Sequence, residues 1–340
     1  MKIAVTGAGG YIGSVLTEKL LKSGHSVWGI DRYFFGESII SDLIEHSRFT
    51  LVKNDIRNLK PRDLEGMDVV MDLAGLSNDP ACDLDEDLTY SINFKGTVNV
   101  AKCAKAAGVG QYIFASSCSV YGHGKEDILT EKSPLNPVSC YAKSKVKSEE
   151  EIAKLTDRNF CVTFLRNATV YGLSRRMRFD LVVNLMTLIA WKKNKIYIMG
   201  GGKQWRPIVH LNDVAKAFIT LLTEDRKKIS GQIYNVGSNE QNYQVYALAH
   251  MVQGCFDNVE LEVIPEDEDK RTYHVCFDKI AKELKFSPDE TPIKAAQQIK
   301  KALQSGEVTE TLSTKTVEFY KYLIEADKLL ERIKLKGKLF

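Results

Sequence analysis

The first thirteen residues constrain the fold of this chain more than any other stretch. Lys2-Ile-Ala-Val-Thr6 is an apolar run of strand length, and Gly7-Ala-Gly-Gly10-Tyr-Ile-Gly13 follows it without a gap. A helical pattern then continues to about Ser23. Strand, glycine turn and helix in that order predict the opening unit of a sheet that binds a dinucleotide. Gly7 and Gly10 allow a tight turn and bring backbone close to a pyrophosphate. Gly13 lets the helix pack against the strand. The unbonded N–H groups at the helix start then face the anion.

Four further strand-length runs follow: 26–30, 49–53, 69–73 and 112–115. Helical patterns lie between them, notably from Leu88 to Ala107. This alternation predicts a parallel sheet covered by helices on both faces. Ligands of such sheets bind beyond the carboxyl ends of the strands. Gly7, Asp31, Asp55, Ala74 and Ser117 all fall at those ends. Asp31, 18 residues after Gly13, is placed for the ribose hydroxyls of an adenosine. A carboxylate there repels a 2′-phosphate and favours NAD, while the neighbouring Arg32 leaves NADP open. Asp68 and Asp72, flanking or inside the fourth run, read as structural.

A second constellation lies further on. Tyr141 and Lys145 are four residues apart in a helical pattern, so they share a face. An ammonium beside a phenol is expected to lower the phenol's pKa and make it a base for an alcohol proton. Upstream, Ser116-Ser117-Cys118-Ser119 supplies hydroxyls at a strand end. Tyr-x-x-x-Lys alone is common on helices; its place after the glycine turn and Asp31 gives it weight.

Composition narrows the class. With 47 basic and 44 acidic residues the net charge is +3, which gives no argument for nucleic acid or an anionic membrane as partner. Apolar runs are strand-length, so no membrane span is expected, and the N-terminus shows no leader pattern. Seven scattered cysteines without Cys-x-x-Cys fit reduced thiols in a cytoplasmic setting and no metal site.

Taken in order, these runs resemble the extended short-chain dehydrogenases/reductases of the NAD-dependent nucleotide-sugar epimerase/dehydratase type. The matching stretches are Val5–Gly13, Asn93-Phe-Lys-Gly-Thr97, Ser116–Gly122, Tyr141–Lys145, Arg166-Asn-Ala-Thr-Val-Tyr-Gly172 and Val209–Val214. The resemblance implies an α/β protein: a Rossmann-type doubly wound parallel sheet over 1–172, with part of 205–235 returning to it, and a smaller C-terminal α/β substrate lobe over 173–300. Residues 301–340 are a helical extension, expected to be an oligomer contact or a surface helix. By position, the resemblance makes Tyr141 the acid/base, Ser117 the catalytic hydroxyl, Lys145 the nicotinamide-ribose ligand and Asn93 a supporting group. It assigns cofactor contacts to Gly7, Gly10, Tyr11, Ile12, Gly13, Asp31, Arg32, Asp55, Ile56, Leu73, Ala74, Gly75, Asn93, Ser116 and Asn167. Substrate contacts fall on Ser77, Ser119, Thr169, Asn184, Met199, Arg206 and Arg271.

The resemblance also narrows the chemistry. Dehydratases of this type carry Asp-Glu after the catalytic hydroxyl and decarboxylases keep the second acid. This chain has Cys118-Ser119. Epimerisation at carbon 4 through a 4-keto intermediate is therefore expected, with a 4-ketoreductase or dehydrogenase as the alternative, a dehydratase behind it, and a non-catalytic NAD(P)-sensing protein last. A homodimer is implied through the helices of Asn93 and Tyr141. Cys118 and His210 are expected to be structural. Glu266-Asp-Glu-Asp269 replaces a segment that carries a phosphate-binding arginine in relatives, so Arg271, Arg175, Arg176 or Arg178 is expected to meet the substrate diphosphate. The nucleotide and the sugar stay open.

Overall fold

Alternation along the first strand divides its side chains between two faces. Ile3 and Val5 point one way, Ala4 and Thr6 the other, and all four are buried. The computed structural model describes residues 1–77, 79–122, 126–265 and 272–339. Its strands begin with β1 (Lys2–Thr6), β2 (Ser26–Asp31), β3 (Phe49–Lys53), β4 (Val69–Asp72), β5 (Gln111–Ser117) and β6 (Cys161–Asn167). They continue with β7 (Thr169–Tyr171), β8 (Lys195–Met199), β9 (Trp205–His210), β10 (Gln232–Val236), β11 (Asn242–Gln244) and β12 (Glu260–Ile264).

Seven strands form one sheet in the order β10-β6-β5-β4-β1-β2-β3, with every neighbouring pair parallel. The order reverses between β1 and β4, and the crevice beyond Thr6 and Asp72 is the switch point where such sheets take ligands. The sheet is of the Rossmann type. On one face Ile3, Val5, Met71 and Ile113 meet Leu16, Leu20 and Phe218. On the other, Ala4, Val70 and Phe114 meet Val100, Ala104 and Ile152. Each large apolar side chain so buried contributes roughly 1.5–3 kcal/mol, which is why the central strands are apolar on both faces.

The structure refines several expected bounds. β6, not assigned from sequence, carries three buried polar residues, Thr163, Arg166 and Asn167, which interrupt its apolar pattern. β9 begins at Trp205, where Trp205 and Arg206 pair with Gln244 and Tyr243 of β11. The expected helix from Leu88 runs from Glu86 to Ala106, and its stretch Tyr90–Gly96 is wound as a wider π turn.

The second half has its own core, in which Tyr171, Val183, Ile196, Ile198, Leu248 and Val252 pack together. It is built from the helices Val182–Lys193, Val245–Gln253 and Pro292–Ser305 around the parallel pair β8 and β12. The last helix, Thr316–Ile333, is more than a surface element at its start. Its Thr316 is buried and its Phe319 stacks on Phe35 at 4.9 Å. Among the described residues no helix is long and apolar enough to cross a membrane.

Candidate active site

The glycine turn makes a cradle that no side chain could share. Gly7 has φ +71°, a conformation L side chains rarely adopt. A Cβ on Gly13 would lie 2.0 Å from the Gly7 carbonyl oxygen, so only glycine lets the Gly13–Lys22 helix start this close to β1. The turn forms one wall of a cleft of about 790 Å³ that runs along the carboxyl ends of β1, β2, β4 and β5. Such a volume suits a bound small molecule.

Asp31 stands at the end of β2 in this cleft. Its Oδ2 accepts from Gly9 N at 3.0 Å and its Oδ1 from Tyr33 N at 2.8 Å, while burial pushes its carboxyl pKa up. Arg32 also lines the cleft, but its Nη1 turns to Asp55 Oδ2 at 3.2 Å. Asp55 is gripped as well by Arg57, Nη2 to Oδ2 at 2.6 Å, and this holds its carboxyl below the usual range. Arg32 is thus committed to a carboxylate at the point where a 2′-phosphate would need it. Tyr11, Ile12, Ile56, Leu73, Ala74 and Gly75 complete this half of the wall. A glycine cradle, a ribose-placed carboxylate and an engaged Arg32 fit a dinucleotide without a 2′-phosphate.

Ser117, Tyr141 and Lys145 converge where the cleft passes β5. Ser139 caps the Cys140–Ala153 helix by accepting from Ala142 N at 3.1 Å, and this sets the face that carries Tyr141 and Lys145. The Ser117 hydroxyl accepts from Ser119 N at 3.1 Å and lies close enough to the Tyr141 phenol to oppose the rise in its pKa. Lys145 Nζ donates to the Ala115 carbonyl at 2.7 Å and sits 5.7 Å from the Tyr141 ring centre.

The electrostatics correct one expectation. Burial pushes the Tyr141 phenol up to about 12, and burial brings Lys145 down to about 8 despite Asp72. Desolvation outweighs the ammonium, so the resting pair is a neutral phenol beside a weakly held cation. Asp72 is a buried acceptor for the Thr6 and Tyr112 hydroxyls, and Asp68 accepts from Lys2 N at 2.8 Å. Both are structural, as expected.

Two residues assigned to contacts lie behind the wall. Asn93 is 1% exposed and does not line the cleft. Its Nδ2 donates to the Leu76 carbonyl and its Oδ1 accepts from Leu76 N, both at 2.8 Å. It holds the loop after β4 and stands behind the cleft wall rather than in it. Asn184 is fully buried; its Oδ1 accepts from Gly172 N at 3.0 Å and its Nδ2 donates to the Arg178 carbonyl at 2.9 Å. It braces the turn after β7 rather than touching a diphosphate. Neither displacement is visible in sequence, because both depend on partners brought in by tertiary packing.

Ser116 lines the cleft with its hydroxyl given to Glu149 Oε1 at 2.5 Å. Glu149, on the Cys140–Ala153 helix, in turn holds Arg166, Nη2 to Oε2 at 2.6 Å. Cys118 turns away into the core, where its Sγ meets the Arg166 carbonyl at 3.2 Å and burial pushes the thiol up. The Ser119 hydroxyl and Asn167 Oδ1, both on cleft-lining residues, are buried without a hydrogen-bond partner among the described residues.

Ser77, Thr169, Met199 and Arg206 line the far half of the cleft. Arg271 lies outside the described residues, as do 266–269. Arg175 is spent outside the cleft on Glu18 and Asp42, whereas Arg176 and Arg178 enter it. Phe34, Phe35, Tyr273, Val317 and Tyr320 also line it and carried no motif that would have singled them out. Among the described residues no cluster of His, Cys, Asp or Glu is arranged to hold a metal ion.

Comparison with known proteins agrees with this geometry. The model of the NAD dependent epimerase/dehydratase family matches residues 3–237. A UDP-glucose 4-epimerase of Mycolicibacterium smegmatis is 32% identical over 250 residues, which are 70% of this chain and 77% of that protein. UDP-glucuronic acid decarboxylase 1 of Danio rerio is 26% identical over 276 residues; these make up 79% of this chain but only 64% of the length of the fish protein. Among solved structures, a UDP-glucuronic acid 4-epimerase from Bacillus cereus in complex with UDP-glucuronic acid and NAD superposes with a TM-score of 0.78 at 25% identity, covering 90% of this chain and 99% of that one.

Proposed function

The chain belongs to the NAD-dependent epimerase/dehydratase family, and from that premise we propose that it is a nucleotide-sugar 4-epimerase working through a transient 4-keto sugar. One observation carries the reading. Ser117, Tyr141 and Lys145 share a cleft with the glycine cradle, while the two positions after Ser117 offer no acid: Cys118 faces the core and Ser119 presents a buried hydroxyl with no partner among the described residues. Elimination needs an acid and a base at neighbouring sugar carbons. A hydroxyl such as Ser119's can only hydrogen-bond the sugar.

The glycine cradle and Asp31 would hold NAD, which when bound would supply the hydride chemistry. Tyr141 takes the proton of the sugar hydroxyl. Ser117 donates to the oxygen as it becomes a carbonyl. Lys145 pays part of the phenolate's cost by keeping its own proton nearby. In this reading residues 1–172 with β10 hold the dinucleotide and 173–300 hold the nucleotide sugar, with Thr169, Met199 and Arg206 toward the nucleotide. The names of the relatives favour uridine diphosphate as carrier. The proposal includes a homodimer formed through the helices that carry Asn93 and Tyr141, which sedimentation would check.

The test is to mix purified protein with UDP-hexoses and UDP-hexuronic acids without added dinucleotide and to follow the sugars by NMR. Interconversion of 4-epimers with no net change at the nicotinamide absorbance supports the reading, and Tyr141→Phe should abolish it while NAD binding persists. Turnover that requires stoichiometric NAD or NADH would replace the epimerase with a dehydrogenase or ketoreductase. An unimpaired Tyr141→Phe variant would remove the mechanism.

A further inference from the structure

Two arginines enter the cleft from the turn after β7, and among the described residues a single carboxylate pairs with them. Arg178 forms a two-pronged bond with Asp180, Nε to Oδ1 at 3.1 Å and Nη2 to Oδ2 at 2.6 Å, and gives Nη1 to Ser77 Oγ at 2.8 Å. Arg176 has no carboxylate partner among the described residues. Its Nη1 reaches Thr316 Oγ1 at 3.1 Å, its guanidinium carbon lies 3.7 Å from the centre of the Phe35 ring, and its Nε is buried with no acceptor among the described residues. Arg176 is 3% exposed. Two cations against one carboxylate leave this buried group one positive charge in excess. Burial, and then Arg178, pull the Arg176 pKa down to about 10. A cation held dry in this way, with an unanswered N–H, is poised for an anion.

Its neighbours say which anion. Phe35, on which Arg176 lies, is four residues beyond Asp31. Arg175 ties the same turn to Glu18 on the helix that follows the glycine cradle. Arg178 lies 6.0 Å from the centre of the Tyr11 ring, inside the glycine turn. Arg176 therefore stands over the span between the helix N-terminus and the ribose carboxylate, and this is the span a dinucleotide's pyrophosphate crosses. The C-terminal helix completes the arrangement. Thr316 Oγ1 accepts from Arg176 and donates to Asp180 Oδ1 at 3.1 Å, Phe319 stacks on Phe35, and Val317 and Tyr320 line the cleft. This helix lies beyond the stretch that the family model matches.

We propose that Arg176 grips the pyrophosphate of the dinucleotide, and that the first turn of the Thr316–Ile333 helix straps it in place through Thr316 and Phe319. The inference rests on the NAD-binding part of the reading above. Its test is equilibrium binding of NAD, ADP-ribose and UDP-glucose to the full chain. Arg176→Met should raise the dissociation constants of NAD and ADP-ribose roughly 10- to 100-fold, the worth of a charge-assisted hydrogen bond to phosphate. Thr316→Val, which keeps the shape and removes the bridging hydroxyl, should raise them roughly 3- to 10-fold. UDP-glucose affinity should stay within twofold in both. A loss confined to UDP-glucose would put Arg176 on the substrate and overturn the inference, as would NAD and ADP-ribose affinities within twofold of wild type. If Arg176→Met does not fold, unchanged NAD affinity in Thr316→Val overturns it. Wild-type protein that binds neither NAD nor ADP-ribose would overturn the cofactor reading and this inference together.

Discussion

Replacing Lys145 by methionine removes the ammonium and keeps the stem, and its effect can be worked out from one distance. Nζ lies 5.7 Å from the Tyr141 ring centre. At an effective dielectric of about 20, a unit charge at that separation is worth 332/(20 × 5.7), or about 3 kcal/mol. That is about 2 pKa units, or about 100-fold in the phenolate population. The order of deprotonation adds a pH signature. Lys145 titrates at about 8 and Tyr141 at about 12, so the first proton leaves mainly from the lysine. The same charge state has a minor form, phenolate beside ammonium, whose share of that state does not change with pH. The wild-type rate should therefore rise tenfold per pH unit below about 8 and level off above it. Lys145→Met has no lysine to titrate, so its rate should be about 100-fold lower at pH 7 and keep rising through pH 8. Initial rates between pH 6 and 10, with NAD and UDP-sugar saturating for each protein, decide the matter. A variant within tenfold of wild type at pH 7, or one that keeps the break near pH 8, would refute the reasoning.

Two further outcomes concern the frame around the site. Glu149 and Arg166 are 7% and 3% exposed and bonded through both prongs, so Glu149→Gln should cost roughly 3–5 kcal/mol by leaving the guanidinium buried without its counter-charge. Glu149→Gln/Arg166→Met should cost less than the sum of the single changes, as read from urea midpoints; additive losses would mean that the pair is not coupled. His210 accepts from Asn212 N at 3.1 Å and leaves Nε2 buried without a partner among the described residues, and burial brings its pKa down to about 4. The unfolded chain takes up a proton at about 6.5 and the folded chain only near 4, so stability is full above pH 6.5 and is lost as the pH falls between those values. His210→Asn should flatten that acid limb in urea titrations, and an unchanged slope would show that the loss comes from another group.

The glycine turn, Asp31, Ser117 and the Tyr141–Lys145 pair were legible in the sequence because each depends on neighbours within a few residues: a strand end, a helix start, one helical turn. The alternation of strands and helices likewise made the parallel sheet legible. The reach of Asn93 and Asn184 was not, since their partners Leu76 and Gly172 lie 17 and 12 residues away across folded loops. The phenol's high pKa was hidden for the same reason, because spacing reveals the nearby ammonium but not the loss of water around both groups. The C-terminal helix is the extreme case. Read alone, Thr316–Ile333 is an amphipathic segment with no motif, and only folding brings Thr316 to Arg176, 140 residues before it. Local chemistry marked the end of the sheet where a dinucleotide is expected, and burial and long-range packing decided which side chains line the cleft there.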